Sequence, residues 1–210
     1  MAEPGPVPEG IPFRIGAVVL AAGGSSRMGS PKQLLEIGGK ALIVRAVEAV
    51  LASPARPVVV VVGAQAERVR ARIARHPVAV VANPAWVSGL ASSVRVGLAT
   101  LLAAEPALDA VLLALCDQPG LCAAVIERLA ALHRETGRVA AARYGGRNGA
   151  PAVFGRAHFA VLAALEGEAG ARRLLNEDPE RIAALDLPEM NLDLDTPEDL
   201  RTWGRRHSMM

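Results

Sequence analysis

Aromatic residues, cysteines and long apolar runs are all scarce in this chain of 210 residues, and each scarcity excludes a class of function. Phe, Tyr and Trp together make up 3% of the sequence, too few for the stacking platforms that bind single-stranded nucleic acid. The 23 Lys and Arg residues are nearly balanced by 21 acidic ones and lie singly along helical stretches. Without basic runs a nucleic-acid partner is not expected, and any anionic partner should be a small molecule.

The two cysteines, Cys116 and Cys122, fit no CxxC or zinc-ligand spacing, so we expect buried structural thiols rather than a disulfide or a metal site. No apolar run approaches the roughly 18 residues that a bilayer span needs, so no membrane partner is expected. Residues 1–14 lack the basic start and the apolar core of a secretory signal. These features predict a cytoplasmic protein.

Half of the residues, 51%, are hydrophobic, which is enough to bury a sizeable core. The absence of a convincing linker favours one domain over two. We expect a flexible tail over residues 1–14, a single domain over 15–203 and a C-terminal tail over 204–210.

Short β-branched runs alternate with longer helical patterns along most of the chain. Strands are predicted at 17–20, 58–62, 78–81 and 110–115, and helices at 41–52, 65–75, 90–103 and 122–136. Continuous apolar strands joined by helices predict a doubly wound α/β fold with a mostly parallel, Rossmann-like sheet. Beyond Gly137, runs at 139–143 and 151–154 around a turn-rich segment predict a small hairpin-like β insertion before the final helices.

The residues that follow the strands are the candidates for function, because ligands bind at the carboxyl ends of the strands in open sheets of this kind. Directly after the first strand comes a segment rich in small residues, Ala21 to Lys32, which we call the glycine loop. Its backbone N–H groups and its two cations, Arg27 and Lys32, suit the phosphates of a nucleotide.

Spacing separates three kinds of phosphate-binding loop. A Walker loop fails, because Ser30-Pro31 stands where Lys and Ser or Thr are required. A dinucleotide fingerprint is weak, because the second predicted strand ends in Gly63-Ala64-Gln65 rather than in an acid. The nucleotidyltransferase signature L-A-A-G-x-x-x-R-M-G-x-P-K-x-L-L matches residues 20–35 at every defined position.

Two aspartates are candidates to place a carboxylate at the carboxyl ends of the predicted strands, where the glycine loop begins. Asp117 follows the buried strand at 110–115, where it could bind Mg²⁺, which prefers hard oxygen ligands, or cap the next helix. Asp195 precedes Thr196-Pro197, a good helix start, and has the pattern of an N-terminal cap.

From about Gly16 to Leu200 the sequence resembles the MobA-like NTP transferase family, on the glycine loop and on the C-terminal D-x-D-T-P-E-D-L segment. The resemblance implies transfer of a nucleotide to a phosphorylated acceptor, with Mg²⁺ held by Asp117 and Asp195 and no role fixed for Asp193. Arg27 and Lys32 would act with Asp117 as catalytic residues. The residues implied in nucleotide binding are Ala21, Ala22, Gly23, Gly24, Ser25, Arg27, Lys32, Gly89 and Ser93.

Two further stretches carry the resemblance. Residues 83–98 match N-P-x-W-x-x-G-x-x-x-S-x-x-x-G-L, which puts Gly89 and Ser93 beside the base and ribose, although Ser93 equally fits an ordinary helix hydroxyl. Trp86 in this stretch is expected to pack. Residues 149–154 and 167–172 resemble segments that face the acceptor, but Ala150 and Glu168 depart from the usual polar residue and Asp, so their roles stay open.

The L-A-A-G form of the loop is typical of cytidylyltransferases, so CTP is expected rather than GTP. Together with Asp117-Gln118-Pro119, the N-P-x-W stretch is most like molybdenum cofactor cytidylyltransferase. This implies a molybdopterin acceptor and a molybdoenzyme recipient of the xanthine dehydrogenase type. The alternatives are a cytidylyltransferase for methylerythritol phosphate or another sugar phosphate, a nicotinamide-dependent reductase on the same fold, and a nucleotide-binding protein without catalysis.

Overall fold

The computed structural model describes residues 13–24 and 31–190. Its strands are β1 (Ile15–Ala21), β2 (Glu36–Ile37), β3 (Lys40–Ala41), β4 (Val58–Val62), β5 (Ala79–Ala82), β6 (Ala110–Leu115), β7 (Val139–Tyr144), β8 (Arg147–Gly155) and β9 (Ile182–Asp186). Its helices are α1 (Leu42–Leu51), α2 (Ala66–Ile73), α3 (Leu90–Ala104), α4 (Ala123–Thr136), α5 (Phe159–Ala163) and α6 (Arg172–Glu177). Short 3₁₀ turns include Lys32–Leu34 and Trp86–Ser88.

Seven of the strands form one sheet in the order β5-β4-β1-β6-β8-β7-β9. β1 runs parallel to β4 and β6, β4 parallel to β5, and β7 parallel to β9. β8 is antiparallel to both of its neighbours, β6 and β7. The predicted doubly wound, mostly parallel sheet is confirmed.

Helices cover both faces of this sheet, as its apolar strands require. On one face Val47 of α1, Val69 of α2 and Ile126 of α4 join a core cluster with alternate strand residues. On the other face Leu98 of α3 and Leu162 of α5 join a second cluster. β4 consists of five valines that are all buried, because both of its faces are covered.

The chain changes direction around β1. It first builds outward through β4 to β5, and α3 then carries it back across to β6 on the other side of β1. The carboxyl ends of β1 and β6 therefore flank a crevice, which is the usual ligand site in such sheets. Among the described residues, no helix is long and apolar enough to cross a bilayer.

Three expectations are corrected. The hairpin of β7 and β8 is not an appendage to the sheet, because β8 pairs with β6 over Ala110–Leu113 and so extends the main sheet. The final segment contains a strand, β9, besides helices, since the edge of β7 is open for pairing. Of the two cysteines, Cys116 is buried but Cys122 is exposed, because it stands at the surface turn before α4.

Candidate functional site

An open cleft of about 520 Å³ lies at the carboxyl ends of β1 and β6. Of the residues proposed from the sequence, the cleft is lined by Ala21, Ala22, Gly23, Gly24, Lys32, Gly89, Ser93 and Asp117. Segments that are far apart in the sequence therefore meet at one place. Ser25, Arg27, Asp193 and Asp195 lie outside the described residues, so their predicted roles stay predictions.

The start of the glycine loop passes close to Trp86 and to the end of β4. A Cβ atom on Gly24 would lie 2.9 Å from the Trp86 ring, and one on Gly63 would lie 2.4 Å from the Ala22 carbonyl oxygen. Because real Cβ atoms do not approach other atoms this closely and the clash at Gly63 is with the backbone, Gly63 needs glycine, whereas a side chain at Gly24 would require the Trp86 ring to shift. Trp86 therefore packs beside the loop, in line with its predicted packing role.

Gly89 forms the turn into α3 at the cleft wall. Its φ of 107° lies in the region that favours glycine, and a Cβ there would lie 2.5 Å from the Gly167 carbonyl oxygen. The same carbonyl accepts the Ala91 N–H at 3.2 Å. This contact joins the start of α3 to the 167–168 loop and brings Glu168 to the cleft lining.

Ser93 is buried and belongs to a small polar network that the sequence did not indicate. The Asn83 side-chain Nδ2 donates to the Ser92 and Ser93 hydroxyl oxygens at 2.8 and 3.0 Å. The Asn83 Oδ1 accepts the Ala85 N–H at 3.0 Å. Asn83 thus fixes the turn before α3, and the Ser93 hydroxyl has a structural partner besides any nucleotide. The N-P pair was the available signal for this residue.

Lys32 and Asp117 face each other across the cleft. The Lys32 Nζ lies 3.5 Å from Asp117 Oδ2, with side chains that are 13% and 23% exposed. One comes from the end of the glycine loop and the other from the end of β6. A cation and a carboxylate are thereby held together beside the backbone of residues 21–24, in a partly buried place where charges interact more strongly than in water.

The described residues fit a divalent metal at Asp117 by the chemistry of the donor. Its carboxylate supplies the hard oxygen ligands that Mg²⁺ prefers, and the Lys32 ammonium lies 3.5 Å from one of these oxygens. No group of three or more His, Cys, Asp or Glu side chains that could hold a metal occurs among the described residues. A metal here would draw further oxygens from phosphates, water or a carboxylate elsewhere, which is the usual manner of Mg²⁺.

Burial suppresses the reactivity of the neighbouring Cys116. Desolvation, and then the negative charge of Asp117, raise the pKa of the Cys116 thiol well above its usual value. The thiol therefore stays protonated and packs as a small apolar group. It is not a nucleophile for this site.

Gln118 links the end of β6 to the hairpin. Its Nε2 donates to the Tyr144 hydroxyl at 2.9 Å and to the Ala150 carbonyl oxygen at 3.0 Å, and Tyr144 donates to the same carbonyl. A mostly apolar recess lined by Tyr144, Ala150, Phe154 and Arg172 adjoins these residues. This recess, of about 40 Å³, is lined by residues of the segments that are predicted to face the acceptor.

Gln33 is a second residue that the sequence did not indicate. It is 3% exposed, and its Nε2 donates to the carbonyl oxygens of Gly23 at 2.7 Å and Ala21 at 3.2 Å. In the family signature this position is an undefined one between Lys32 and Leu34. No sequence signal marks it, because its partners are backbone atoms that only the fold brings near.

A family model of the MobA-like NTP transferase domain matches residues 17–182. Nicotine blue oxidoreductase of Paenarthrobacter nicotinovorans is 36% identical over 195 residues, which cover 87% of this chain and 93% of that protein.

Solved structures of similar fold include Rv0371c of Mycobacterium tuberculosis H37Rv, with a TM-score of 0.79 and 30% identity over 91% of this chain and 97% of that one. A further structure of Rv0371c is a complex with manganese. A nucleotidyl transferase of Methanothermobacter thermautotrophicus gives a TM-score of 0.78 and 25% identity over 92% of this chain and 97% of that one.

Proposed function

Because this chain belongs to the MobA-like NTP transferase family and is a nucleotidyltransferase, we propose that it transfers CMP from CTP to a phosphorylated small molecule and releases pyrophosphate. The observation that carries the proposal is the meeting of Lys32 and Asp117, 3.5 Å apart, beside the glycine loop. A protein that only binds nucleotides has no need of this carboxylate near the phosphates.

In the proposed reaction, a phosphate oxygen of the acceptor attacks the α-phosphorus of CTP. A new P–O–P bridge forms, the bond between the α-phosphorus and the bridging oxygen breaks, and pyrophosphate leaves with that electron pair. The acceptor phosphate is already an anion at neutral pH, so no protein base is needed. The task of the protein is alignment and neutralisation of charge.

Each site residue has a part in that task. The backbone of residues 21–24 lines the place for the phosphates, and Lys32 would stabilise the charge that develops on the α-phosphate. Arg27 would bind the β- and γ-phosphates, and Ser25 is proposed to help in nucleotide binding. Gly89 and Ser93 line the cleft on the side proposed for the base and ribose.

Asp117 and Asp195 are proposed to hold Mg²⁺. When bound, such an ion would neutralise phosphate charge and orient the α-phosphate. The manganese complex of the mycobacterial relative supports a divalent ion in this fold. In this structure the Asp117 carboxylate is paired with Lys32, which would have to share it with the ion.

The acceptor is proposed to be molybdopterin, whose dinucleotide form would pass to a molybdoenzyme of the xanthine dehydrogenase type. The L-A-A-G loop and the Asp-Gln-Pro turn support this choice. A sugar phosphate or methylerythritol phosphate is the alternative acceptor.

A second candidate is reduction by a nicotinamide cofactor. It is favoured by one observation, the 36% identity to nicotine blue oxidoreductase across most of both chains. The open cleft offers room for a dinucleotide. The pairing of Lys32 with Asp117 favours the transferase, since hydride transfer does not call for a carboxylate beside the phosphates.

Thermal stabilisation by CTP, GTP, ATP and NADPH, each with and without Mg²⁺, distinguishes these candidates. Ligand at about 100 times its Kd adds roughly 2.7 kcal/mol to the free energy of unfolding. We expect the largest rise in Tm with CTP and Mg²⁺, and its loss in Asp117→Asn. Asp109→Asn is the matched control, because Asp109 accepts the Arg14 N–H at the opposite end of β6.

A rise with NADPH that exceeds the rise with CTP and does not depend on Mg²⁺ would replace the transferase by the reductase. Pyrophosphate release then tests the acceptor. Molybdopterin should support release, whereas methylerythritol phosphate should not. The reverse result would assign the chain to sugar-phosphate chemistry.

A further inference from the structure

The side chain of Gln33 joins the two ends of the glycine loop by hydrogen bonds. It lies in the 3₁₀ turn Lys32–Leu34, at the far end of the loop, while both carbonyl groups that it contacts lie at the near end. One buried amide group therefore ties together the two ends of a segment whose middle carries Arg27. From this geometry we infer that Gln33 is the positioning residue for nucleotide binding, an inference that rests on the proposed function.

The amide of Gln33 is suited to two acceptors at once. A side-chain NH₂ group has two N–H donors, and here one carbonyl oxygen lies 2.7 Å and the other 3.2 Å from the nitrogen. A carboxylate has no donor at neutral pH, and an apolar side chain has none at any pH. Among the side chains of this length, only glutamine supplies both donors without adding a charge.

These two bonds also fix the direction of the loop backbone. In a planar trans peptide group the N–H points away from the C=O. With the Ala21 and Gly23 carbonyls turned toward Gln33, the N–H groups of Ala22 and Gly24 are turned to the opposite side. The carbonyl between them, that of Ala22, accepts the Ala64 N–H at 3.2 Å. Three successive carbonyls, those of Ala21, Ala22 and Gly23, are thus held by hydrogen bonds within the protein.

Gln33 also holds its neighbour. Lys32 precedes it in the same 3₁₀ turn, and the Lys32 Nζ lies 3.5 Å from Asp117. Anchoring of this turn to the end of β1 therefore sets the distance between the cation and the carboxylate. Loss of the Gln33 hydrogen bonds should disturb both the backbone N–H donors of the loop and the pairing of Lys32 with Asp117. The phosphates should therefore bind more weakly.

The test compares Gln33→Met, which keeps the length of the side chain, and Gln33→Asn, which keeps the amide but is one methylene shorter. Both should weaken CTP binding in the presence of Mg²⁺ by about tenfold in Kd, and Gln33→Asn should not rescue it. Ser53→Ala is the matched control. It removes another buried hydrogen bond, from the Ser53 hydroxyl to the Val50 carbonyl at 2.7 Å, near the amino end of β4 and far from the cleft.

Hydrogen exchange in the ligand-free protein supplies a readout that does not depend on any nucleotide. In Gln33→Met the amide of Ala64, which donates to the Ala22 carbonyl, and the amide of Leu35, which donates to the Lys32 carbonyl, should exchange faster than in the wild type, while those of β4 should keep their protection. Equal Kd values for wild type and Gln33→Met would overturn the inference, as would equal losses in Gln33→Met and Ser53→Ala. Unchanged exchange at both Ala64 and Leu35 would overturn it too.

These measurements separate this inference from the proposed function. If the wild type fails to bind CTP, the proposed function is wrong, and the exchange measurement alone then decides whether Gln33 orders the loop. If the wild type binds CTP and Gln33→Met binds it equally well, the proposed function stands and Gln33 has no positioning role.

Discussion

Burial keeps the titratable side chains of the interior neutral. Desolvation lowers the pKa of His133 and of His158, just as it raises that of Cys116. His133 is 4% exposed, and its Nδ1 lies 2.6 Å from the Arg138 carbonyl oxygen. A carbonyl accepts, so Nδ1 carries the proton in the neutral ring. His133 is therefore a packed residue at the end of α4.

The neutral state of His133 predicts a loss of stability in mild acid. With the folded pKa below the unfolded value, the unfolded chain binds more protons as the pH falls below about 6.5. The free energy of unfolding should keep its full value above that pH. It should be lower by on the order of 1 kcal/mol at pH 5.5. Urea unfolding at pH 7.5 and 5.5 measures the difference.

His133→Asn is the comparison variant, since its amide can still donate to the Arg138 carbonyl but does not titrate. Its difference between the two pH values should be smaller than in the wild type, with His158 supplying the remainder. An equal or larger difference in His133→Asn would show that other groups cause the acid sensitivity.

At the scale of elements, α3 lies very close to the sheet. A Cβ on Gly97 would lie 2.4 Å from Val18 Cγ1 of β1 and 2.9 Å from Val61 Cγ2 of β4. Glycine in a helix ordinarily costs about 1 kcal/mol relative to alanine. In this protein the residue at position 97 is glycine because a side chain there would keep α3 from lying directly on β1 and β4.

Gly97→Ala should therefore destabilise the protein, although alanine favours the helix. The expected loss in the free energy of unfolding is about 1–3 kcal/mol, as in other overpacked cores. Val18→Ala makes room on β1, so the double variant should be more stable than the sum of the two single losses predicts. Urea unfolding of all four proteins gives the coupling, and additive losses would mean that the backbone had shifted instead.

The sequence predicts most of these elements because their physical causes are local. Five consecutive valines form β4, and the apolar run 110–115 has the same first and last residue as β6. β9 is short, at five residues, and includes two alanines and an aspartate, so its strand character depends on the open edge of β7. The pairing of β8 with β6 depends likewise on a partner distant in the sequence.

The residues of the site likewise include some that the sequence predicts and some whose role depends on distant partners. The glycine loop, Lys32 and Asp117 follow strands directly, so the sequence places them at one edge, and the structure brings them together. Gln33 and Asn83 act through backbone carbonyls and hydroxyls that come near only after folding. The polar groups that shape the site are therefore harder to predict than the ones proposed to act in it.

At the scale of the whole molecule, the two core clusters share one set of strands. Along β1, Ala17 and Val19 belong to one cluster and Val18 and Leu20 to the other. Neither face can lose its packing without exposing a strand that the other face needs. We therefore propose that residues 15–203 form a single cooperative domain.

That proposal predicts one unfolding transition. In a Trp203→Phe background, fluorescence of Trp86 reports the cleft, and far-UV circular dichroism reports the helices. The two urea midpoints should coincide within error, as two-state unfolding requires. Two separated midpoints would divide the chain into independent units and contradict the single domain.

Because β8 lies far after β6 in the sequence, one edge of β6 stays unpaired for part of the time in which the chain is synthesised. β6 is complete at Leu115, but the part of β8 that pairs with it is Ala152–Gly155, so a ribosome must add some forty residues before the pair can form. During that interval one edge of an uncharged, wholly apolar strand stays bare, and bare edges of this kind invite association between chains. Slow translation between residues 116 and 147 should therefore lower the soluble yield more than an equal delay after Gly155.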